Sequence, residues 1–130
     1  MSTRSAAVAP KKLGVILIVD DEIDIRESMR ARLEIEGFEV ITAANGLDGL
    51  RRYKQFKDQV EIVVTDLDMP RMNGSDMLRQ IFQITPAAKV IVASGRSLLY
   101  SQHNLGAQGG CCLQKPYTGR ELTDAVRLLL

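Results

Sequence analysis

A chain of 130 residues with 45% hydrophobic and 25% charged residues has room for one globular domain with its own core, and none for a second. Residues 1–13 carry Arg4, Lys11 and Lys12 without an acid. Of the 17 basic and 16 acidic residues the remainder therefore keeps 14 and 16, a net charge of −2, which is no electrostatic footprint for nucleic acid. The two cysteines, Cys111 and Cys112, are adjacent and cannot staple distant elements, and the early apolar run Val15 to Val19 is too short for a membrane span or an export signal. The expectation is a cytoplasmic domain without a membrane segment.

In chain order, residues 1–13 read as a disordered or loosely attached tail, and residues 14–130 as the domain. Val15 to Val19 is β-branched and apolar on both faces, as a central parallel strand requires. Ile25, Met29 and Leu33 recur at helical spacing, and Gly37 supplies the stop. A second strand is expected over Phe38 to Thr42, a helix from about Leu47 to Phe56, a third strand over Val60 to Thr65, and a helix from near Ser75. The fourth strand is Val90 to Ala93, closing in Ser94-Gly95. A weaker helical pattern lies within 97–105, a short fifth strand around Cys111 to Leu113, and a last helix carries the stripe Leu122, Ala125, Val126 and Leu129. Five strand–helix units in alternation predict an α/β, doubly wound (βα)5 architecture: an open five-stranded parallel sheet of order 2-1-3-4-5.

In that topology a site forms beyond the carboxyl ends of the strands, at the switch point between strands one and three. Those strands end in Asp20-Asp21 and in Asp66. Three carboxylates in one crevice repel one another and raise each other's pKa values unless a cation sits among them, and oxygen ligands of this kind suit Mg²⁺. Ser94 and Lys115, at the ends of strands four and five, are expected on the same edge. A carboxylate nucleophile, a hard cation, a hydroxyl and an ammonium suit an incoming phosphoryl group.

Four pieces of sequence carry a family resemblance: VDDE at 19–22, TDLDMPRMNG at 65–74, ASG at 93–95 and LQKPY at 113–117. In this order, at the ends of strands one, three, four and five, they resemble the receiver domain of two-component response regulators, of the chemotaxis-regulator type with a flavodoxin-like fold. The resemblance implies that Asp66 is the phosphoacceptor, that Asp21 and Asp66 ligate Mg²⁺ directly, and that Asp20 holds it partly through water. It further implies that Asp68 offers its backbone carbonyl to the metal, that Ser94 binds a phosphoryl oxygen as the switch hydroxyl, and that Lys115 pairs with another. Pro116 follows through a peptide bond that the family often holds in cis. The implied partners are a histidine kinase or histidine phosphotransfer protein and a downstream target or output domain, with a homodimer through the face of the fourth helix, fifth strand and fifth helix as a further option. The function implied is a switch with self-catalysed phosphoryl transfer and hydrolysis, not a turnover enzyme.

Each residue also has a plainer use. Asp20 and Asp21 could cap the first helix, Ser94-Gly95 could be a turn and Lys115-Pro116 a loop; the constellation outweighs these. Met69, Met72 and Met77 are expected to pack, His103 to be solvated or hydrogen-bonded, the cysteines to act as small hydrophobes, and Arg51, Arg52, Lys54 and Lys57 to form a solvated helix face. Two features depart from the family pattern: Asp68 is a further acid beside Asp66, and Cys112 stands three residues before the lysine, where an aromatic switch commonly sits. A cysteine cannot fill the space that a moving Ser94 vacates, so the expected readout runs through residues 95–104. Two other readings compete. A phosphatase of the haloacid dehalogenase type uses a D-x-D, but after its first strand and not its third; a receiver that works without phosphorylation would not need the full acidic set.

Overall fold

The computed structural model describes residues 13–67, 69, 72–94 and 110–130, with Ser94 described through its backbone. Residues 1–12, Asp68, the 95–104 readout segment, the helix expected within 97–105 and His103 lie outside the described residues. Leu13, placed in the tail by sequence, already donates its N–H to Gly37 O at 3.2 Å.

Five parallel strands form one sheet in the order β2-β1-β3-β4-β5, as expected. They are β1 (Val15–Val19), β2 (Glu39–Ala43), β3 (Val60–Asp66), β4 (Val90–Ser94) and β5 (Cys111–Gln114). Four helices accompany them among the described residues: α1 (Ile23–Ile35), α2 (Gly46–Phe56), α3 (Gly74–Ile84) and the C-terminal α4 (Gly119–Leu129).

The sheet is covered on both faces, which is why its central strands read as unbroken apolar runs. Along β1, Ile16 and Ile18 point to one face and Leu17 and Val19 to the other, all fully buried. The first face is covered by α1 through Met29 and Leu33 and by α4 through Leu122, Ala125 and Val126. The second is covered by α2 through Leu50 and Tyr53 and by α3 through Met77, Leu78 and Ile81. Met69 and Met77 are buried in this second layer and Met72 packs against it, as a packing role requires. Cys111 and Cys112 are half-buried and lean on opposite layers. Of the basic group on α2, Arg51, Lys54 and Lys57 are exposed and Arg52 is half-buried.

β1 lies where expected, β3, β4 and β5 start as expected and end one residue later, and β2 alone is shifted by one residue at both ends. Gly37, at φ +104°, ends α1 in a left-handed turn that glycine adopts without strain. Phe38 N–H is then taken by Leu33 O at 3.0 Å, so Phe38 belongs to the helix end and the ladder starts at Glu39 opposite Val15. Phe38 is still buried, which is what its strand-like pattern signalled.

Helix starts are decided by short polar side chains. Asn45 Oδ1 accepts the N–H of Asp48 at 2.8 Å, and Asn73 Oδ1 accepts that of Asp76 at 2.9 Å. Thr118 and Glu121 form a reciprocal capping box on α4. The Asn-Gly pair after β3 therefore has two jobs: Asn73 caps α3, and Gly74 lets the helix start against the strand it follows. A Cβ on Gly74 would lie 2.2 Å from Asp66 O, and Gly74 N–H donates to Leu67 O at 3.0 Å. Backbone cannot yield as a flexible side chain can, so Gly74→Ala should push the loop off the end of β3 and cost about 2 kcal/mol or more of stability. Urea unfolding of the two proteins checks this; an alanine variant as stable as the parent would contradict the contact.

Candidate functional site

Sheet register sets the site. Val19 pairs with Thr65, and Asp66 pairs with Ala93, so the residues that follow β1 and those that end β3 reach the same edge at the same level. On β4 and β5, Ser94 pairs with Gln114, and Lys115 comes one residue later. The pleat decides direction. Asp20 continues the row Ile16–Ile18, Asp66 the row Ile62–Val64, and Lys115 the row Cys111–Leu113, all on the layer covered by α1 and α4. Three apolar rows thus end in two carboxylates and an ammonium on one side of the sheet.

The side chains meet accordingly. Lys115 Nζ lies 2.8 Å from Asp66 Oδ2 and 3.8 Å from Asp20 Oδ2. Asp20, Asp21 and Asp66 each offer a carboxylate oxygen within 4.8 Å of the others. Asp20 and Asp66 are buried, at 1% and 6% exposure, whereas Asp21 is exposed. The Lys115–Pro116 peptide bond is cis. The structure therefore brings together Asp20, Asp21, Asp66 and Lys115; it places the backbone of Ser94 at the same edge; and Asp68 lies outside the described residues.

Buried carboxylates are costly unless partnered. Burial raises the pKa of Asp20 above its ordinary value, opposed by the Glu22 N–H and by the charge of Lys115, with the charges of Asp66 and Asp21 adding to the rise. The sequence pointed to mutual repulsion; burial is the larger cause. Glu22 N–H donates to Asp20 Oδ1 at 2.8 Å, and Asp20 N–H donates to Ala43 O at 3.1 Å. For Lys115, burial presses the pKa down, but the hydrogen bond and charge of Asp66, aided by Asp20 and Glu22, carry it up. The ammonium stays charged where the carboxylates need it.

The capping alternative for the two aspartates does not describe this helix. The N-cap of α1 is Glu22, with no side-chain capping bond, unlike the helices capped by Asn45, Asn73 and Thr118. The phosphatase alternative fails on topology, since the acidic pair of that class belongs after the first strand and Asp66 ends β3.

Two residues near the site were missed in the sequence. Arg26 donates from Nη1 to Asp20 O at 2.8 Å. Tyr117, two residues after Lys115, donates to Met29 Sδ at 2.8 Å and packs on the layer of α1 and α4. Its aromatic residue type after Lys-Pro was the available signal; Arg26 lies on a helix whose polar positions look alike. Burial, then the charges of Asp20 and Asp66, push the Tyr117 phenol from 10.0 up to about 12. A phenol held neutral in the fold and ionising at an ordinary value when unfolded leaves stability intact below pH 10, and stability falls as pH rises toward 12. In Tyr117→Phe that alkaline loss should shrink by ~1–2 kcal/mol, allowing for partial solvent screening. Urea midpoints below pH 10 and near pH 12 measure it; equal losses in both proteins would refute the assignment.

A five-stranded doubly wound sheet with an acidic cluster and a lysine at its carboxyl edge defines a class, and comparison with known proteins names it. The model of the response regulator receiver domain matches residues 16–127, and the chain belongs to that family. A homologue of the transcriptional regulatory protein CpxR from Haemophilus influenzae is 33% identical over 121 residues, covering 91% of this chain and 51% of that protein. The chain thus spans about half the length of curated relatives of this kind. Among solved structures, a response regulator receiver domain protein from Clostridium thermocellum is 36% identical with a TM-score of 0.83, covering 90% of this chain and 94% of that one. The response regulator TrrA from Thermotoga maritima, in complex with Mg²⁺ and BeF, is 32% identical with a TM-score of 0.77, covering 91% of this chain and all of that one. The acidic cluster Asp20, Asp21 and Asp66 is compatible with a metal ion. Among the described residues no helix is long and apolar enough to cross a membrane.

Proposed function

We propose that the chain is a phosphorylation-dependent signalling switch whose Asp66 accepts a phosphoryl group from a histidine kinase or histidine phosphotransfer protein. The observation that carries this is a buried Asp66 with Lys115 at 2.8 Å and two further carboxylates within 4.8 Å. An isolated buried aspartate would be an unfavourable ending for a core strand. One flanked by an ammonium and by carboxylates whose excess negative charge a divalent cation would offset suits the uptake of a further anion.

The residues fit Mg²⁺ by their donor chemistry: three carboxylates gathered at one edge, the hard oxygen donors that this ion prefers. Asp20, Asp21 and Asp66 would hold the ion, with the Asp68 carbonyl as a further ligand. When bound, it supplies charge neutralisation for the phosphoryl oxygens and the attacking carboxylate. In the transfer, an Asp66 carboxylate oxygen attacks phosphorus while the bond to the donor's nitrogen or acyl oxygen breaks, and the donor leaves with the electron pair. Lys115 neutralises one equatorial oxygen, and Ser94 binds another through its hydroxyl. In hydrolysis water attacks phosphorus, the bond from phosphorus to the Asp66 oxygen breaks with its electron pair staying on that oxygen, and inorganic phosphate and a proton leave as the carboxylate is restored.

The relative TrrA in complex with Mg²⁺ and BeF supports the same ligand chemistry here. The downstream partner is a target protein or an output domain. Incubation with Mg²⁺ and a small acyl phosphate, followed by intact mass, tests the reading: one added phosphoryl group is expected, and an unchanged mass would overturn it.

A further inference from the structure

Of the acids in the cluster, Asp21 is the least constrained by its own contacts. Its side chain is exposed and makes no hydrogen bond or ion pair among the described residues, whereas Asp20 and Asp66 are buried and face Lys115. The direction of its carboxylate is therefore set by the backbone that carries it. That backbone is a tight turn between β1 and α1, and no side chain caps the helix that follows. Where α2, α3 and α4 begin with Asn45, Asn73 and Thr118 bound to the first turn, the corresponding acids before α1 are committed to the cluster.

One side chain replaces the missing cap. Arg26, in the first turn of α1, has its own N–H on Glu22 O at 2.9 Å and reaches back with Nη1 to Asp20 O at 2.8 Å. Asp20 O belongs to the peptide group whose nitrogen is that of Asp21, so holding this oxygen holds the plane from which Asp21 projects. The other polar groups of Asp20 are taken as well: its N–H by Ala43 O, Oδ1 by Glu22 N–H, and Oδ2 facing Lys115. Arg26 supplies the remaining restraint, a charge-assisted hydrogen bond of good length.

We propose that Arg26 is the positioning residue of the acidic cluster: it clamps the Asp20–Asp21 peptide and so presents the exposed Asp21 carboxylate to a divalent cation. This rests on the metal-site reading above. Arg26 touches neither the cation nor the phosphoryl group; it acts through the peptide, as outer residues act on metal ligands.

The test is Mg²⁺ affinity by calorimetry on the whole chain, beside urea unfolding of the same Mg²⁺-free samples, for the parent, Arg26→Met and Arg26→Lys. Methionine keeps much of the alkyl stem and removes the donor; lysine keeps a cationic donor. Arg26→Met should bind Mg²⁺ about tenfold more weakly, while its phosphorylation by a small acyl phosphate at saturating Mg²⁺ returns to near the parental rate. Arg26→Lys should recover most of the affinity. Were Arg26→Met to unfold, the lysine variant would still decide, since affinity near the parental value supports the clamp and affinity lost in a folded protein refutes it. A folded Arg26→Met that binds Mg²⁺ as the parent does would overturn the inference alone. A parent that binds no Mg²⁺ would overturn the metal-site reading and this inference with it.

Discussion

Asp66→Ala should take up no phosphoryl group from an acyl phosphate in the presence of Mg²⁺, where the parent is expected to gain one. The residue is buried at 6% exposure at the end of β3, with Lys115 Nζ 2.8 Å from its Oδ2. Asp20 is held by Glu22 N–H and points toward Lys115, and Asp21 is exposed, so neither replaces the missing nucleophile. The fold should survive. Removing Asp66 relieves the repulsion that helps to raise Asp20, and costs the ion pair with Lys115, whose side chain is 20% exposed and retains Asp20 at 3.8 Å. These effects oppose each other, and the net change in stability should stay within about 1–2 kcal/mol. Intact mass reports the first result and urea unfolding the second. A variant that still gained the phosphoryl mass would remove Asp66 from the role.

Asp21→Ala should keep the nucleophile and weaken the binding of Mg²⁺. The side chain is exposed and unpartnered among the described residues, so its truncation should leave the packing of β1 undisturbed. What goes is one oxygen of a three-carboxylate cluster. A bound cation that neutralises both the attacking carboxylate and the phosphoryl oxygens is worth several kcal/mol at the transition state; a loss of ~3 kcal/mol is on the order of a hundredfold in rate. Phosphorylation at fixed Mg²⁺ should slow by about that factor and recover in part when Mg²⁺ is raised. Parental rates in excess chelator would contradict the metal's role for the parent and the variant alike.

These two variants separate neighbours that the chain itself does not distinguish. Asp20 and Asp21 read as one acidic pair in VDDE, yet one is buried and the other exposed. Likewise, the Asn-Gly pair in TDLDMPRMNG reads as a chain break, and only the contact between Gly74 and Asp66 O shows why glycine must stand there. Its partner signal was available: Asn45 and Asn73 both precede a Gly and stand three residues before an Asp, a capping pattern that recurs at the starts of α2 and α3. Cys111 and Cys112, expected as small hydrophobes, serve opposite layers of the core because adjacent strand residues must face opposite ways.

What the sequence alone determined was the alternation of elements, the order 2-1-3-4-5 and the strand ends that carry Asp20, Asp21, Asp66 and Lys115. Those follow from local pattern: apolar runs long enough for a doubly covered strand, helical stripes, and a topology that sends polar strand ends to one edge. Tertiary structure alone decided that burial, more than repulsion, raises Asp20, that Lys115 settles 2.8 Å from a residue 49 positions away, and that Arg26 holds the peptide before Asp21. Burial and side-chain distance depend on how α1 and α4 pack over the sheet, and no periodicity along the chain encodes the reach of one side chain to another strand's end.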